Sequence, residues 1–260
     1  MLNLIARLGR SVINFIAELG EISILIVNIF RYFPRAIKDR KLVLQQMAVI
    51  GADSLPLVIL IGSFTGAIAG LTATDLFSKF NLIALAKPYI GSSIATAVFT
   101  ELTPVLTALV IAGRVGGAMA AEIGTMNVTE QVDALEMLAI DKNRYLGMPR
   151  VFAALAMMPI LAVFSNLVAL LGGFLLAYVK YEFSSFLFFD SVQRFFRLSE
   201  LLTGIVKTML FGGVTALIGV HVGLKTVGGA EGVGNSTVRA YTISASAILI
   251  IDAMFGIFVR

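Results

Sequence analysis

Residues 151–179 read VFAALAMMPILAVFSNLVALLGGFLLAYV and contain no Asp, Glu, Lys or Arg. A helix needs about 20 consecutive apolar residues to cross the hydrocarbon core of a bilayer. Four other stretches also meet this requirement. The five predicted spans are Leu55–Thr72, Tyr89–Gly113, Val151–Val179, Leu201–Leu224 and Val238–Val259. The sequence therefore predicts an all-α integral membrane protein with five transmembrane helices.

The composition excludes a soluble protein of this length. Of the 260 residues, 58% are hydrophobic and 14% are charged, and the mean hydropathy is +0.93. Soluble domains are about 45–50% apolar and about 25% charged. A bilayer can solvate the excess apolar surface, whereas a soluble core of this size cannot bury it. We expect residues 1–260 to form a single membrane domain, with the transmembrane bundle at 49–260.

The first 48 residues differ from the five spans. The stretch from Met1 to Phe33 is apolar but is interrupted by charged residues, namely Arg7, Arg10, Glu18, Glu21 and Arg31. This pattern favours a helix that lies in the membrane interface. A full span from Ile13 to Phe33 is the alternative. Residues 1–48 are thus interpreted as an N-terminal interfacial helix followed by a basic segment.

The positive charge of the chain indicates membrane topology. The formal net charge is +4, and the basic residues cluster beside apolar segments, as in the run from Arg31 to Lys41. Such clustering predicts a cytoplasmic N-terminus and a periplasmic C-terminus, with Lys207 among the cations on the outer side, and it does not indicate nucleic-acid binding. With no cysteine and a single histidine, His221, we expect neither a metal site nor a cofactor.

The first span contains a doubled GxxxG motif. Glycines four residues apart share one face of a helix and let another backbone approach closely. Two interpretations remain open: ordinary helix packing, or a dimer interface in which the large side chains of this helix face an apolar lipid pathway. The candidate positions are Gly62, Phe64, Gly66, Ile68, Gly70 and Leu71.

Glu101 lies within the second span, close to Pro104. A carboxylate costs about 2.5–3.5 kcal/mol at the centre of a bilayer, so Glu101 should face protein or water. It either pairs with a buried structural partner or shapes a polar lining of the transport path, where Pro104 loosens the helix. Asp252 is closer to the end of its span, which favours a solvated or capping role. We expect His221 to be packed or hydrogen-bonded.

A long and polar inner loop is predicted at Arg114–Arg150. From Thr129, which can cap it, the loop contains a short amphipathic helix with an apolar stripe at Val132, Leu135 and Leu138. Such a stripe suits docking into a groove of a cytoplasmic partner. The alternative is a helix that lies on the membrane, which its acidic face disfavours. The candidate coupling residues are Glu130, Gln131, Val132, Leu135, Glu136 and Met137.

A longer motif run extends over the second span and this loop. It reads ELTP at 101–104, AGR at 112–114, AEIG at 121–124, TEQ at 129–131 and LEM at 135–137. The run resembles the MlaE-type permease family, the membrane subunits of MCE-associated lipid ABC transporters. Thr100 and Thr103 depart from the family pattern, which leaves the detail of the polar site near Glu101 open.

The resemblance implies a homodimeric permease of the cell inner membrane that moves phospholipid between this membrane and the outer envelope. Two ATPase subunits would bind the ATP and dock on the coupling helix around Glu130–Met137. An MCE-domain protein would sit on the outer side, and a STAS-type subunit would bind the ATPase. Two rival hypotheses are a secondary transporter, for which charges or broken helices in corresponding halves are lacking, and a membrane scaffold without transport.

Overall fold

The computed structural model describes residues 2–80, 87–195 and 197–258, which form a helical bundle. Helices α1 (Leu2–Arg31) and α2 (Arg40–Ile50) come first and are joined by a linker with a 3-10 turn at Phe33–Arg35. The others are α3 (Leu55–Lys79), α4 (Ile90–Val128), α5 (Gln131–Met137), α6 (Asn143–Tyr181), α7 (Ser185–Phe195), α8 (Leu198–Leu224) and α9 (Gly229–Phe258). The side chains of Arg7 and Arg10, and Val259 at the predicted end of the fifth span, lie outside the described residues.

Five helical segments among the described residues are long and apolar enough to cross a membrane, and each overlaps one predicted span. They are Arg40–Lys79, Ile90–Val128, Asn143–Tyr181, Leu198–Leu224 and Gly229–Phe258. The first starts earlier than predicted because α2 continues into α3 through a 3-10 turn at Ala52–Ser54. The prediction of an all-α membrane protein with five transmembrane helices is confirmed.

The inner loop predicted at Arg114–Arg150 is wrong in its extent, because most of that stretch is helical and the connecting segment is shorter. Helix α4 continues to Val128, and its last segment, Gly117–Val128, contains a single charged residue, Glu122. The glycines of this region allow α4 and α8 to approach closely. A Cβ on Gly219 would lie only 2.9 Å from the carbonyl oxygen of Gly116. This part of the helix is rich in small residues and packs against α8 and α9, and five of its twelve residues are buried.

The buried core has two main parts, which lie toward opposite ends of the bundle. The larger cluster includes Ile29 of α1, Val132 of α5 and Phe211 of α8. The smaller cluster includes Phe183 and Phe188, in and beside α7. We call the two ends of the bundle the α5 end and the α7 end.

Helix α1 is not among the five described segments that could cross a membrane. It packs at the α5 end, where Leu25 and Ile29 are buried and Phe30 contacts Phe152 of α6 with ring centroids 5.7 Å apart. Helix α9 ends beside the α7 end, because Gly256 lines a cavity there with Ser199, near the start of α8. The interfacial position of α1 and the orientation of the two ends stay predictions.

Candidate functional site

Three charged side chains from three spans meet inside the bundle. Nζ of Lys207, on α8, lies 2.9 Å from Oε2 of Glu101 on α4 and 2.6 Å from Oδ1 of Asp252 on α9. The Lys207 side chain is 2% exposed, and the carboxylates are 32% and 21% exposed. One ammonium group therefore neutralises part of the charge of two carboxylates, as a low-dielectric setting requires. We call these residues the charge cluster.

The local backbone of α4 explains where the charge cluster forms. Pro104 has no N–H to donate to the carbonyl group of Thr100, four residues earlier. Nζ of Lys207 donates a hydrogen bond to that carbonyl oxygen at 3.1 Å. The preceding turn, Val98–Leu102, is π-helical and carries Glu101. The predicted loosening of the helix near Pro104 is thus present as a π-helical turn, a feature that is frequent at functional sites.

A cavity of about 340 Å³ lies beside the charge cluster at the α7 end. Most of its lining residues are of polar types, and Oγ1 of Thr96 donates a hydrogen bond to Oε2 of Glu200 there at 2.7 Å. The lining residues are Thr96, Thr100, Glu101, Arg197, Ser199, Glu200, Thr203, Lys207, Phe255 and Gly256. Water or a polar group in this cavity could therefore reach Glu101.

The charge cluster corrects two sequence predictions. Lys207, placed with the outer cations, lies buried within α8, and Asp252 is paired with it rather than solvated or capping a helix. The argument against a secondary transporter from a lack of intramembrane charges therefore fails. The sequence contained a signal for this pairing: each of the three charged residues interrupts an apolar span, and a charge within a membrane span needs a compensating partner.

The glycine face of α3 packs against α6 within the same chain. A Cβ on Gly62, Gly66 or Gly70 would lie 2.7, 1.7 or 2.6 Å from the carbonyl oxygen of Ser165, Ala169 or Gly173, respectively, so the two helices run parallel. The interpretation as ordinary helix packing is right for these glycines. The interpretation of Gly62, Gly66 and Gly70 as a dimer interface is wrong, because α6 already covers their face.

The opposite face of α3 has no such neighbour within the described chain. Phe64 and Ile68 are each 62% exposed, and Leu71 is half-buried. An exposed apolar face of this kind suits lipid or a second protein surface. The role of Phe64, Ile68 and Leu71 in a lipid pathway or a dimer interface stays a prediction.

Helix α5 presents a different face than the sequence predicted. Val132 is 2% exposed and belongs to the larger core cluster, against which Leu135 also packs. The predicted docking stripe is therefore wrong for Val132, because that side chain points into the bundle. Met137 and Leu138 are 89% and 71% exposed. Periodicity identified an apolar stripe but could not tell the bundle from a partner as the surface that covers it.

The start of α5 has an unusual backbone. Glu130 has a φ of 60°, in the left-handed region, and occupies the N-cap position in place of the predicted Thr129. The hydroxyl group of Thr129 donates a hydrogen bond to the carbonyl oxygen of Thr125 in the preceding helix. Glu130, Gln131 and Glu136 are exposed at the α5 end. Thr129 thus closes α4, and the chain reverses sharply into α5.

The segment that follows α5 is tied to the linker between α1 and α2. Nε and Nη2 of Arg144 donate hydrogen bonds to the two carboxylate oxygens of Asp39 at 2.9 and 3.0 Å. The Tyr32 hydroxyl group donates to Oδ2 of Asp141 at 2.7 Å. The Arg144 guanidinium group lowers the pKa of Asp39 below its usual value, and the bond to Asp141 raises the pKa of Tyr32. A displacement of α5 would therefore also reach this linker.

Two arginines at the α5 end join helices by polar contacts. Arg114 of α4 donates to Oγ of Ser54 and, at 3.3 Å, to the carbonyl oxygen of Val49, at the bend between α2 and α3. Arg150 is nearly buried and pairs with Glu122 at 2.8 Å. The sequence motif contained Arg114 and Glu122, but the motif alone assigned them no role. Their partners lie far away in the sequence, so spacing could not identify them.

His221 is packed beside helix α1, in agreement with the expectation for it. Its Nε2 atom lies 4.0 Å from Glu18 and 3.9 Å from Glu21. Glu18 also pairs with Arg239 at 2.6 Å, and Glu21 pairs with Lys225. In the described ranges, no three acidic or histidine side chains are grouped so that they could hold a metal ion.

The fold and the site define the class of this protein: a multi-pass integral membrane protein with a charge cluster inside its spans and a short, partly exposed helix at one end. Within this class, the chain belongs to the MlaE permease family, because the family model described as Permease MlaE matches residues 43–258. The resemblance of the motif run to this family is confirmed.

Individual relatives agree with the family match. A probable ABC transporter permease protein of Synechocystis is 41% identical over 212 residues, which are 82% of this chain and 79% of the relative. The intermembrane phospholipid transport system permease protein MlaE of Haemophilus influenzae is 31% identical over 262 residues, 98% of this chain and 99% of the relative. A Rickettsia bellii protein with the name probable ABC transporter permease is 35% identical over 96% of this chain and 95% of its own length. The chain is thus an ABC transporter permease of the MlaE family.

Proposed function

We propose that this permease moves phospholipid between the inner membrane and the outer envelope, powered by a separate ATPase subunit that docks on α5. The name of the Haemophilus influenzae relative supports phospholipid as the substrate class. The observation that carries the coupling role is the surface of α5. Met137 and Leu138 expose large apolar side chains at its end, and Glu130 and Glu136 are also exposed on this helix.

Helix α5 is suited to transmit force because one face is anchored and the other is free. Val132 is buried and Leu135 is half-buried in the bundle, so α5 cannot shift without its neighbours. Exposed apolar side chains in an amphipathic helix are the elements that fit a groove in a partner protein. A closing ATPase pair would displace α5, and the contacts of Asp141 and Arg144 would pass this movement to the α1–α2 linker.

The transported lipid would use apolar and polar surfaces that both belong to the described part of the chain. The exposed side of α3 at Phe64 and Ile68 would line an apolar space between two copies of the permease in a homodimer. The cavity beside Glu101, near Pro104, would receive polar groups at the α7 end. The π-helical turn at Val98–Leu102 and the charged side chains beside it would allow the shape change that lipid release requires.

The further partners follow from the family and from the proposed orientation. The α5 end would face the cytoplasm, with the N-terminus, and the C-terminus would lie on the periplasmic side of the inner membrane, as the run from Arg31 to Lys41 favours. The ATPase subunit would bind ATP, and a STAS-type subunit would bind that ATPase. An MCE-domain protein would receive or deliver phospholipid at the α7 end.

The experiment replaces the free apolar surface of α5 by charge. In Met137→Asp/Leu138→Asp, we expect at least a tenfold loss of co-purifying ATPase subunit and of ATP-dependent transfer of labelled phospholipid, because two hot-spot side chains are removed (about 1.4 kcal/mol for each factor of ten). Phe186→Asp is the matched control. Phe186 is 74% exposed but lies on α7 at the opposite end, so its variant should retain the ATPase.

Three results would contradict the proposal. Retention of the ATPase by the α5 variant would remove the coupling role of this helix. Phospholipid transfer by the wild-type complex without ATP would favour the secondary transporter. ATP hydrolysis with no lipid transfer under any condition would favour a scaffold.

A further inference from the structure

The linker between α1 and α2 carries a dense and unpaired positive charge. Residues 31–41 read RYFPRAIKDRK, and we call this segment the basic linker. Its five cations are Arg31, Arg35, Lys38, Arg40 and Lys41, all of them exposed. Within the part of the chain that the structure describes, none of the five forms an ion pair, whereas other cations at the α5 end, such as Lys142 and Lys225, are paired with carboxylates.

The one acidic residue of the basic linker, Asp39, offsets its five cations only in part, because its hydrogen-bonded partner is Arg144 of α6. Asp39 accepts two hydrogen bonds from Arg144 of α6, at 2.9 and 3.0 Å, and is 20% exposed. A carboxylate that faces a guanidinium group in this way directs its charge to that partner. With five cations and one carboxylate, the basic linker therefore keeps a net positive charge and creates a local positive potential.

Large apolar side chains stand among the cations. Phe33 is 60% exposed and Ile37 is 80% exposed. The Phe33 ring also contacts Phe152 of α6, with centroids 5.1 Å apart, so the linker is continuous with the surface of a membrane span. Helix α2 starts the first candidate span at Arg40. The basic linker thus lies where the chain enters the membrane, with apolar groups that suit the acyl boundary and cations that suit phosphate groups.

We infer that the basic linker is a binding site for anionic phospholipid headgroups in the leaflet at the α5 end. This site is separate from the cavity at the α7 end and is independent of the lipid that the permease transports. An acidic protein surface would also be attracted by the cations, but it would not explain why two large apolar side chains, Phe33 and Ile37, are exposed among them. Bound headgroups would hold the linker, and through Tyr32 and Asp39 they would also hold the segment that follows α5.

The experiment uses the lack of tryptophan in this chain. Ile37→Trp places one fluorescent reporter within the basic linker of the full-length protein in vesicles of phosphatidylcholine and phosphatidylglycerol. Bromine atoms on either lipid quench a tryptophan that they contact. In vesicles with the same total composition, we expect brominated phosphatidylglycerol to quench Trp fluorescence about twofold more, per mole fraction, than brominated phosphatidylcholine, since clustered cations enrich anionic lipid.

Two controls separate a site from a general membrane effect. Val179→Trp reports on a position that is 67% exposed at the other end, beside Lys180, whose ammonium group is paired with Asp75 at 2.8 Å. This reporter should show equal quenching by the two lipids. Adding Arg35→Gln, Lys38→Gln and Lys41→Gln to Ile37→Trp should abolish the preference without abolishing the quenching.

The inference is overturned if the Ile37→Trp reporter is quenched equally by both lipids, or if the preference survives the three Gln substitutions. It is also overturned if neither lipid quenches the reporter, because the linker then contacts water or protein. No ATPase is present in this assay. A failure of the inference about the basic linker is therefore distinguishable from a failure of the proposed transport function.

Discussion

The ammonium group of Lys207 lies 2.6 Å from a carboxylate oxygen of Asp252, and the two residues belong to different transmembrane helices. The same group lies 2.9 Å from Glu101 on a third helix. Because the Lys207 side chain is almost fully buried, its charge is stable there only with both partners in place. The charge cluster therefore joins α4, α8 and α9 near the cavity at the α7 end.

Removal of the central cation should be strongly destabilising. In Lys207→Met, two carboxylates would face each other without compensation, and we expect a loss of about 3–5 kcal/mol in the free energy of unfolding. Unfolding in mixed micelles of detergent and SDS measures this loss. Adding Glu101→Gln and Asp252→Asn to the Lys207→Met variant should restore part of the stability, because the uncompensated charges are gone.

The matched control for this variant is Lys180→Met. Lys180 pairs with Asp75 at a similar distance of 2.8 Å, but both side chains are more than 40% exposed. Water screens such a pair, so its removal should change the stability little. Equal losses in the Lys180 and Lys207 variants would show that burial does not determine the contribution of the charge cluster.

The close approach of α3 and α6 provides a second prediction. A Cβ on Gly66 would lie 1.7 Å from the carbonyl oxygen of Ala169. Since the obstacle is backbone, Gly66→Ala must push the two helices apart, and we expect a loss of about 1–3 kcal/mol or more in the free energy of unfolding. Gly234→Ala is the control, because no atom lies within 4 Å of its Cβ. This control should be neutral or stabilising by up to about 1 kcal/mol. A neutral Gly66→Ala would contradict the packing of these helices.

The five spans could be predicted because each depends on a local property, the length of an apolar run. Leu201–Leu224, for example, was predicted within three residues of the helix Leu198–Leu224. The family could also be predicted, since the motif run around Glu101 and Glu130 is long. Hydrophobic periodicity even located helix α5. In all these cases the information lies within a short segment of the sequence.

The partners of individual side chains could not be predicted in the same way. The sequence places Lys207 with the outer cations, because it lies near the outer end of its predicted span, whereas its two carboxylate partners lie on other helices. The sequence also predicts Val132 on a docking surface, and it cannot correct this, since an apolar stripe has the same period whether the bundle or a partner covers it. The glycine motif of α3 likewise does not indicate which helix packs against it. These features depend on tertiary packing.

A third prediction concerns the pH dependence of the Asp39–Arg144 contact. The guanidinium group lowers the pKa of Asp39 in the folded protein below its value in the unfolded chain. Such a pair stabilises the fold at pH values above the unfolded pKa, and the contribution disappears as the pH falls through the folded pKa. Asp39→Asn should therefore lower the Tm most at neutral pH, and this Tm difference should shrink progressively as the pH falls below the ordinary pKa of an aspartate, about 3.9, and through the lower pKa of folded Asp39.

The Tm of both proteins in detergent, measured across this pH range, tests the prediction. Asp190→Asn is a suitable reference, because Asp190 pairs with Arg194 within one turn of α7 and links no separate helices. A Tm difference for Asp39→Asn that stays constant from neutral to acidic pH would mean that the charge of Asp39 is not its source.

Arg114 provides the last prediction, because it joins the helix before α5 to the bend between α2 and α3. Its guanidinium group donates hydrogen bonds to Ser54 and to the carbonyl oxygen of Val49. In Arg114→Ala both acceptors lose a charged donor, and we expect a loss of about 1.5–3 kcal/mol in the free energy of unfolding. Arg194→Ala removes a guanidinium group that is 68% exposed, so this control should stay within about 0.5 kcal/mol of the wild type.

If the bend between α2 and α3 must follow α4 during transport, Arg114→Ala should also reduce ATP-dependent phospholipid transfer. The ATPase subunit should still co-purify, since α5 is unchanged. Normal transfer by a destabilised Arg114→Ala protein would restrict Arg114 to a structural role.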